Sequence, residues 1–210
     1  MEQIENIKTI SHFEETKLKE KGSIFIAQAF PVSSSEKIDS ELLATKKKFF
    51  DATHLCYAYR LKNDSFKYSD AGEPNGTAGI RILNAIDHFN LTDILVIVIR
   101  YFGGTKLGIG PLGRAYYFST LQTLQNSEII QKENYTKIKI STDFFLMSSV
   151  HRVISNYHAI LDKSSYDDQV HFEILIKNLL QQNFIKEIFE ISNGKIKVET
   201  LEKNIFIKKN

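Results

Sequence analysis

The chain has one cysteine, three prolines and no tryptophan among its 210 residues. A lone cysteine, Cys56, excludes an intrachain disulfide, and the setting expected from this is a reducing cytoplasm. Long apolar runs are missing too. The longest, Ile94–Ile99, is the length of a buried strand, far short of the ~18 residues that a membrane helix needs. The opening residues Met1-Glu2-Gln3-Ile4-Glu5 contain no apolar signal region, so neither export nor a membrane partner is expected. Charge of one sign is also lacking, since 27 Lys and Arg face 25 Asp and Glu for a net +2. Any electrostatic footprint must therefore be local, and nothing signals DNA in particular. His12, His88, His151, His158 and His171 show no metal-ligand spacing, so no metal site is expected. The P-loop pattern and G-x-S-x-G are both absent, and no catalytic residue or cofactor is assigned.

What is present is a concentration of glycine. Eight of the ten glycines fall between Gly72 and Gly113. Glycine serves where the backbone takes positive φ or approaches something closely, so this stretch holds specialised loops. Around it the patterning predicts an α+β chain. Ser23–Val32 reads as a strand. Ser33-Ser34-Ser35-Glu36 then starts a helix with Ile38, Leu42, Thr45 and Phe49 on one face. Thr53–Lys62 reads as a strand and Asn63–Ala71 as a turn-like excursion. A helix over about Thr77–Phe89 follows, then a buried strand Asp93–Tyr101. The loop Phe102–Gly113 feeds a helix reaching about Asn126.

The polar residues Gln131–Asn134 read as a break between two domains, 1–133 and 134–210. Beyond it come a strand Thr136–Ser141, a helix Leu146–Tyr157 and a hairpin of His158–Ser164 with Gln169–Lys177. A helix Leu179–Ile191 closed by Gly194 and a strand Lys195–Leu201 complete the chain. This β-α-β-β-α-β order suggests a ferredoxin-like sandwich.

Two segments could carry chemistry. In Ser69-Asp70-Ala71-Gly72-Glu73-Pro74-Asn75-Gly76-Thr77-Ala78-Gly79, two carboxylates three residues apart open a helix. They could cap it and complement its dipole, hold a cation, or act as acid and base beside His54. The second segment runs from Arg100-Tyr101-Phe102-Gly103-Gly104-Thr105-Lys106 to Gly113-Arg114. No Asp or Glu occurs between Ile94 and Ser127, while Arg100, Lys106 and Arg114 do. A glycine loop entering a helix N-terminus beside unopposed cations suits an anion. Within it, Gly108-Ile109-Gly110-Pro111-Leu112-Gly113 matches G-x-G-x-x-G, but a proline sits in the turn and the glycines begin well after the strand. A dinucleotide site is not expected. The strand face His54, Cys56, Ala58, Arg60 adds a histidine and an arginine on one side.

Three of these segments together resemble the IMPACT/YigZ family: Ala52–Arg60, Ser69–Gly79, and Val98–Gly108 with Arg114-Ala115-Tyr116. The resemblance implies a first domain like the second domain of ribosomal protein S5, and a ferredoxin-like second domain akin to the last domain of elongation factor G. Eukaryotic relatives regulate translation by competing for the activator of the amino-acid-starvation kinase. This sequence departs from the family pattern in having Ala71 for a second acidic residue, Arg81 for the usual proline and Pro111 for a glycine.

The leading expectation is a translation-linked protein that binds RNA, the ribosome or another anionic partner. The residues expected to form that cleft are His54, Arg60, Ser69, Asp70, Glu73, Gly76, Thr77, Arg100, Tyr101, Gly103, Gly104, Lys106 and Arg114, and the second domain could hold a protein partner. The alternative is a hydrolase or kinase-like enzyme acting on a phosphorylated small molecule or peptide in the same cleft.

Overall fold

The computed structural model describes residues 4–209 as an α+β protein with two antiparallel sheets and five α-helices. The chain divides into two compact units. The first spans Ile7–Gln131; the second takes Lys132 onward together with the N-terminal residues up to Asn6. Those first residues, expected with the first domain, thus group with the second. None of the described helices is long and apolar enough to cross a membrane.

In the first unit a sheet of strands β2 (Glu14–Glu20), β3 (Ser23–Pro31), β4 (His54–Arg60), β5 (Phe66–Ser69) and β6 (Ile94–Tyr101) has the order β2-β3-β6-β4-β5. β6 lies at its centre because both of its faces are apolar. Ile94, Val96 and Val98 pack under the helices α2 (Gly79–His88) and α3 (Ile109–Asn126). Leu95, Ile97 and Ile99 pack on the other face against Ile38 and Leu42 of α1 (Ser35–Lys48). Ser34 caps α1 by accepting the Lys37 N–H, and Lys46, Lys47 and Lys48 in its last turn complement the helix dipole.

The second sheet contains β1 (Asn6–Ile10), β7 (Ile129–Thr142), β8 (Ile160–Tyr166), β9 (Val170–Lys177) and β10 (Lys197–Lys208). Its order is β1-β7-β9-β8, with β10 also paired to β7. The helices α4 (Met147–Asn156) and α5 (Gln181–Ser192) cover one face through Val150, Val153, Ile154, Phe184 and Ile188. α5 ends where Asn193 and Gly194 take positive φ.

Four sequence expectations need correction. Asn63–Ala71 contains the edge strand β5, whose Phe66 and Tyr68 are exposed and so gave no buried-strand pattern. β1 and β2 precede Ser23; β2, EETKLKE, is a charged edge strand with little hydrophobic alternation. α3 begins at Ile109, because Pro111 falls in the first turn, where a missing N–H costs no intrahelical bond. Gln131–Asn134 lies inside β7. There the Asn134 amide donates to the Ile4 carbonyl at 2.8 Å and to Asn204 at 3.2 Å, and Glu133 pairs with Lys177.

Gly22 and Gly103 make the closest approach in the first unit. A Cβ on Gly103 would stand 1.9 Å from the Gly22 carbonyl carbon, and one on Gly22 would stand 2.7 Å from the Gly103 oxygen. Backbone atoms cannot yield as a side chain does. Gly103→Ala should therefore destabilise the protein by about 3 kcal/mol, at the upper end for overpacking. Gly110→Ala, whose added methyl meets only the Arg114 side chain at 3.8 Å, should change stability by less than ~1 kcal/mol. Urea unfolding of the two variants measures the contrast.

Candidate functional site

The loop after β5 folds back around Asp70. Its carboxylate accepts backbone N–H groups from Gly76 (2.9 Å), Ala78 (2.9 Å) and Gly79 (2.8 Å). Asp70 thus satisfies orphan donors at the start of α2 from outside the helix. Burial pushes this carboxyl up, but the three N–H groups outweigh it and hold the group below the ordinary aspartate range. The rest of the loop is locally tied. Ser69 Oγ accepts the Ala71 N–H, Thr77 donates to the Pro74 carbonyl at 2.6 Å, and Ala71, Gly72 and Gly76 take positive φ. Gly79 has no room for a side chain, since its Cβ would lie 2.7 Å from the Ser69 nitrogen.

Glu73 is carried inward by this loop, and only 3% of its side chain is exposed. Its Oε1 accepts from Arg100 Nη1 at 2.6 Å and from the Tyr116 hydroxyl at 2.8 Å. Arg100, at the end of β6, also donates to Ser23 Oγ at 3.4 Å, and Ser23 Oγ accepts the Gly103 N–H at 3.2 Å. The guanidinium lies over the Phe25 ring, and its Nε has no hydrogen-bond partner. His54 Nδ1 is 3.0 Å from the Ala71 carbonyl, which can only accept, so Nδ1 carries the proton. Its Nε2 stands 3.8 Å from Glu73 Oε2.

Beneath them Cys56 donates to the Asp70 carbonyl at 2.9 Å and lies 3.4 Å from the Tyr116 oxygen. Burial pushes the thiol up to about 12, with the carboxylates of Glu73 and Asp70 adding to the rise against the lowering bond to Tyr116. Burial likewise pushes the Tyr116 phenol up, reinforced by Cys56 and Glu73.

His54, Asp70, Glu73, Arg100 and Gly103 therefore converge. Arg60 does not. It shares a face of β4 with His54, but six residues of extended chain put it roughly 20 Å away. There it bonds Asp87 at 2.8 Å and lies over Phe66. Tyr101 points to the α1 side, where its hydroxyl donates to Asp51 at 2.7 Å. Gly104 and Lys106 are exposed in the loop before α3, and Arg114 is exposed one turn into that helix. Ser23 and Tyr116 were not among the expected cleft residues, although Tyr116 closes the Arg114-Ala115-Tyr116 segment. Tyr116 lies on the inward stripe Leu112, Ala115, Tyr116, Ser119, and that periodicity marks it as core without disclosing its hydroxyl's partner.

Lys106, Phe102, Leu107, Gly108 and Ile109 border a cleft of about 330 Å³ that has Glu73, Pro74 and Arg100 at its base. α3 opens onto this cleft. Its N-cap Gly108 (φ 84°) offers no side-chain cap, its first turn holds no acidic residue, and the Ile109 and Gly110 N–H groups have no intrahelical acceptor. Neither the cap nor the first turn of α3 supplies a charge to offset the positive end of the helix dipole. Among the described residues, no group of three or more His, Cys, Asp or Glu is arranged to hold a metal ion.

Two tests follow from the buried cluster. Glu73→Gln leaves Arg100 without a counter-charge and should cost about 3–5 kcal/mol in urea unfolding, whereas Glu73→Gln with Arg100→Met should recover part of that loss. For Asp70, a folded pKa below the unfolded value of about 3.9 contributes stability above that pH, and the contribution disappears as pH falls through the folded value. The stability gap between wild type and Asp70→Asn should therefore be constant near neutrality and narrow in acid, as followed by thermal melting.

Residues 21–124 match the Impact N-terminal domain, and residues 140–195 match a domain of unknown function, DUF1949. The IMPACT family member YvyE of Bacillus subtilis is 31% identical over 175 residues, covering 82% of this chain and 81% of its own. An IMPACT family member of Haemophilus influenzae is 31% identical over 161 residues, covering 75% and 78%. The protein IMPACT homolog of Saccharomyces cerevisiae is 34% identical over 96 residues, 43% of this chain and 37% of that one. A crystal structure of a hypothetical protein superimposes with a TM-score of 0.69 at 22% identity, covering 95% of this chain and 99% of that one, a likeness of fold alone. With the two domain matches in order along it, the chain belongs to the IMPACT family.

Proposed function

We propose that this protein is a translation-linked binding protein that holds RNA, free or ribosomal, at the mouth of α3. The observation that carries this reading is the N-terminus of α3, uncapped and with no acidic residue in its first turn, behind the loop of exposed Phe102 and Lys106. Free N–H groups and a dipole end attract phosphate, a lysine adds a full charge, and glycines let a backbone approach. Phe102, 46% exposed at the cleft edge, offers a ring on which a base can stack. We read the first unit as the S5 domain 2-like fold. The strand order β10-β7-β9-β8 of the second, with its β-α-β-β-α-β sequence, supports a ferredoxin-like domain akin to the last domain of elongation factor G. Both analogies favour work beside the ribosome, in the cytoplasm, though fold alone does not carry function.

The cations that reach the partner are fewer than the sequence suggested. Arg100 is neutralised by Glu73 and Arg60 by Asp87, which leaves Lys106 as the charge at the mouth itself. The alternative, acid–base chemistry by Asp70 and Glu73, gains no support from their positions. Asp70 spends both oxygens on backbone N–H groups, and Glu73 is bonded to Arg100 and Tyr116.

Binding of a fluorescent oligouridylate of about ten nucleotides should fall steeply with salt. Its log–log slope should be roughly −1.4, as for about two phosphates of a single strand, one at Lys106 and one at Arg114. Lys106→Ala should reduce that slope by about 0.7, and Arg60→Ala should leave it unchanged. A wild-type protein that shows no salt-sensitive binding at low ionic strength would rule out the reading.

A further inference from the structure

The first unit has four arginines, and the protein supplies carboxylates to two of them. Arg60 bonds Asp87 and Arg100 bonds Glu73. The guanidinium groups of Arg81 on α2 and Arg114 on α3 have no ion pair or hydrogen bond among the described residues. Both nevertheless sit on one shelf. A Cβ built on Gly113 would stand 3.3 Å from Arg81 Nε, and one built on Gly110 would stand 3.8 Å from Arg114 Nη1. Gly110 and Gly113 are one helical turn apart, which sets neighbouring positions about 5–6 Å from each other. Two bare glycines thus clear a place where two like charges lie side by side with no acceptor from the protein. Such an arrangement is unfavourable in isolation and favourable once an anion with several oxygens bridges the two forks.

The same pair lines a pocket of about 400 Å³ whose other walls are Asn84, Ile109, Tyr117 and Phe118, with no carboxylate among them. Phe118 is 51% exposed and Ile109 72%, and Tyr117 meets Phe118 edge-on at 5.6 Å. Exposed rings beside unpaired guanidinium groups fit a ligand with a flat apolar part attached to a phosphate. The Asn84 amide, one turn along α2 from Arg81, can both donate to and accept from a base edge. Ile109 borders this pocket and also the cleft at the mouth of α3, so the two are continuous along the first turn of that helix.

From this we infer that the Arg81–Arg114 pocket binds one unpaired nucleotide of a single strand. The phosphate sits between the two guanidinium groups, and the base lies against Phe118 and Tyr117. The inference rests on the proposed reading that a nucleic-acid strand lies at the mouth of α3, and it adds that the strand must be unpaired there. In a duplex the base faces are covered by their stacked neighbours, so only the charges would be met.

The test is fluorescence anisotropy on the full chain with a labelled RNA single strand, the same strand annealed to its complement, and adenosine monophosphate. The expected result is single-strand binding about tenfold tighter than duplex binding, the order that one stacked base contributes. Phe118→Ala should lose about that factor for the single strand and nothing for the duplex, and Phe118→Tyr should keep it. Arg81→Gln with Arg114→Gln should weaken both and reduce the single-strand salt slope by about 0.7, the share of the one phosphate they hold. Circular dichroism melting should match wild type, because all three side chains are exposed. Equal binding of single strand and duplex, unaffected by Phe118→Ala, would overturn the inference and leave the reading at the mouth of α3 intact. Adenosine monophosphate bound as tightly as the strand would overturn it by assigning the pocket to a free nucleotide. A wild type with no salt-sensitive RNA binding would remove both.

Discussion

A charged carboxylate in the interior sets the form of the first unit. Glu73 pairs with Arg100 and accepts from the Tyr116 hydroxyl, and it binds three elements at once: the loop before α2, the end of β6 and the middle of α3. A buried ion pair of this kind adds little net stability against an apolar substitute, but breaking one half of it is costly. Its value is positional. With Glu73 fixed, the loop can turn Asp70 toward the N–H groups of α2, and Arg100 can reach Ser23, which in turn holds the Gly103 N–H. The glycine loop that forms the mouth of α3 is held open by this chain of bonds.

The same chain explains why cations were a poor guide when read along the sequence. Arg60, Arg100, Lys106 and Arg114 look alike in one dimension, and each stands near glycines or an apolar strand. In three dimensions two of them answer carboxylates that lie 27 residues away in sequence, and two answer nothing in the first unit. The charges facing outward are those for which the fold provides no partner. Arg81, which looked like a departure from a pattern, falls among them.

Much of the architecture was legible. Alternation along β4, the unbroken apolar run of β6, the Ser34 cap and the helical stripes on α1, α2 and α3 are local patterns, and local patterns survive in a sequence. What did not survive is whatever depends on register. That His54 and Arg60 share a face follows from alternation, but that they stand at opposite ends of the strand matters only once the loops around β4 are placed. β2 escaped because an edge strand facing water needs no apolar alternation, and β7 was cut short because Glu133 and Asn134 find partners far along the chain. The clustering of glycines pointed to the right region, while the Gly22–Gly103 contact joined a glycine inside the cluster to one outside it.

The order of strands also bears on how the molecule is made. β3 pairs along its length with β6, which the ribosome delivers more than sixty residues later, roughly three seconds at the fast end of elongation rates and about twelve at the slow end. During that interval β2 and β3 can close as a hairpin, but the other edge of β3 has no strand to pair its N–H and C=O groups, and the face with Phe25 and Ala27 has no helix over it. The nascent chain must therefore emerge with an open edge and an uncovered apolar face until Arg100 has left the exit tunnel. The charged residues of β2 lie along the opposite side of that hairpin, where they keep it soluble while it waits.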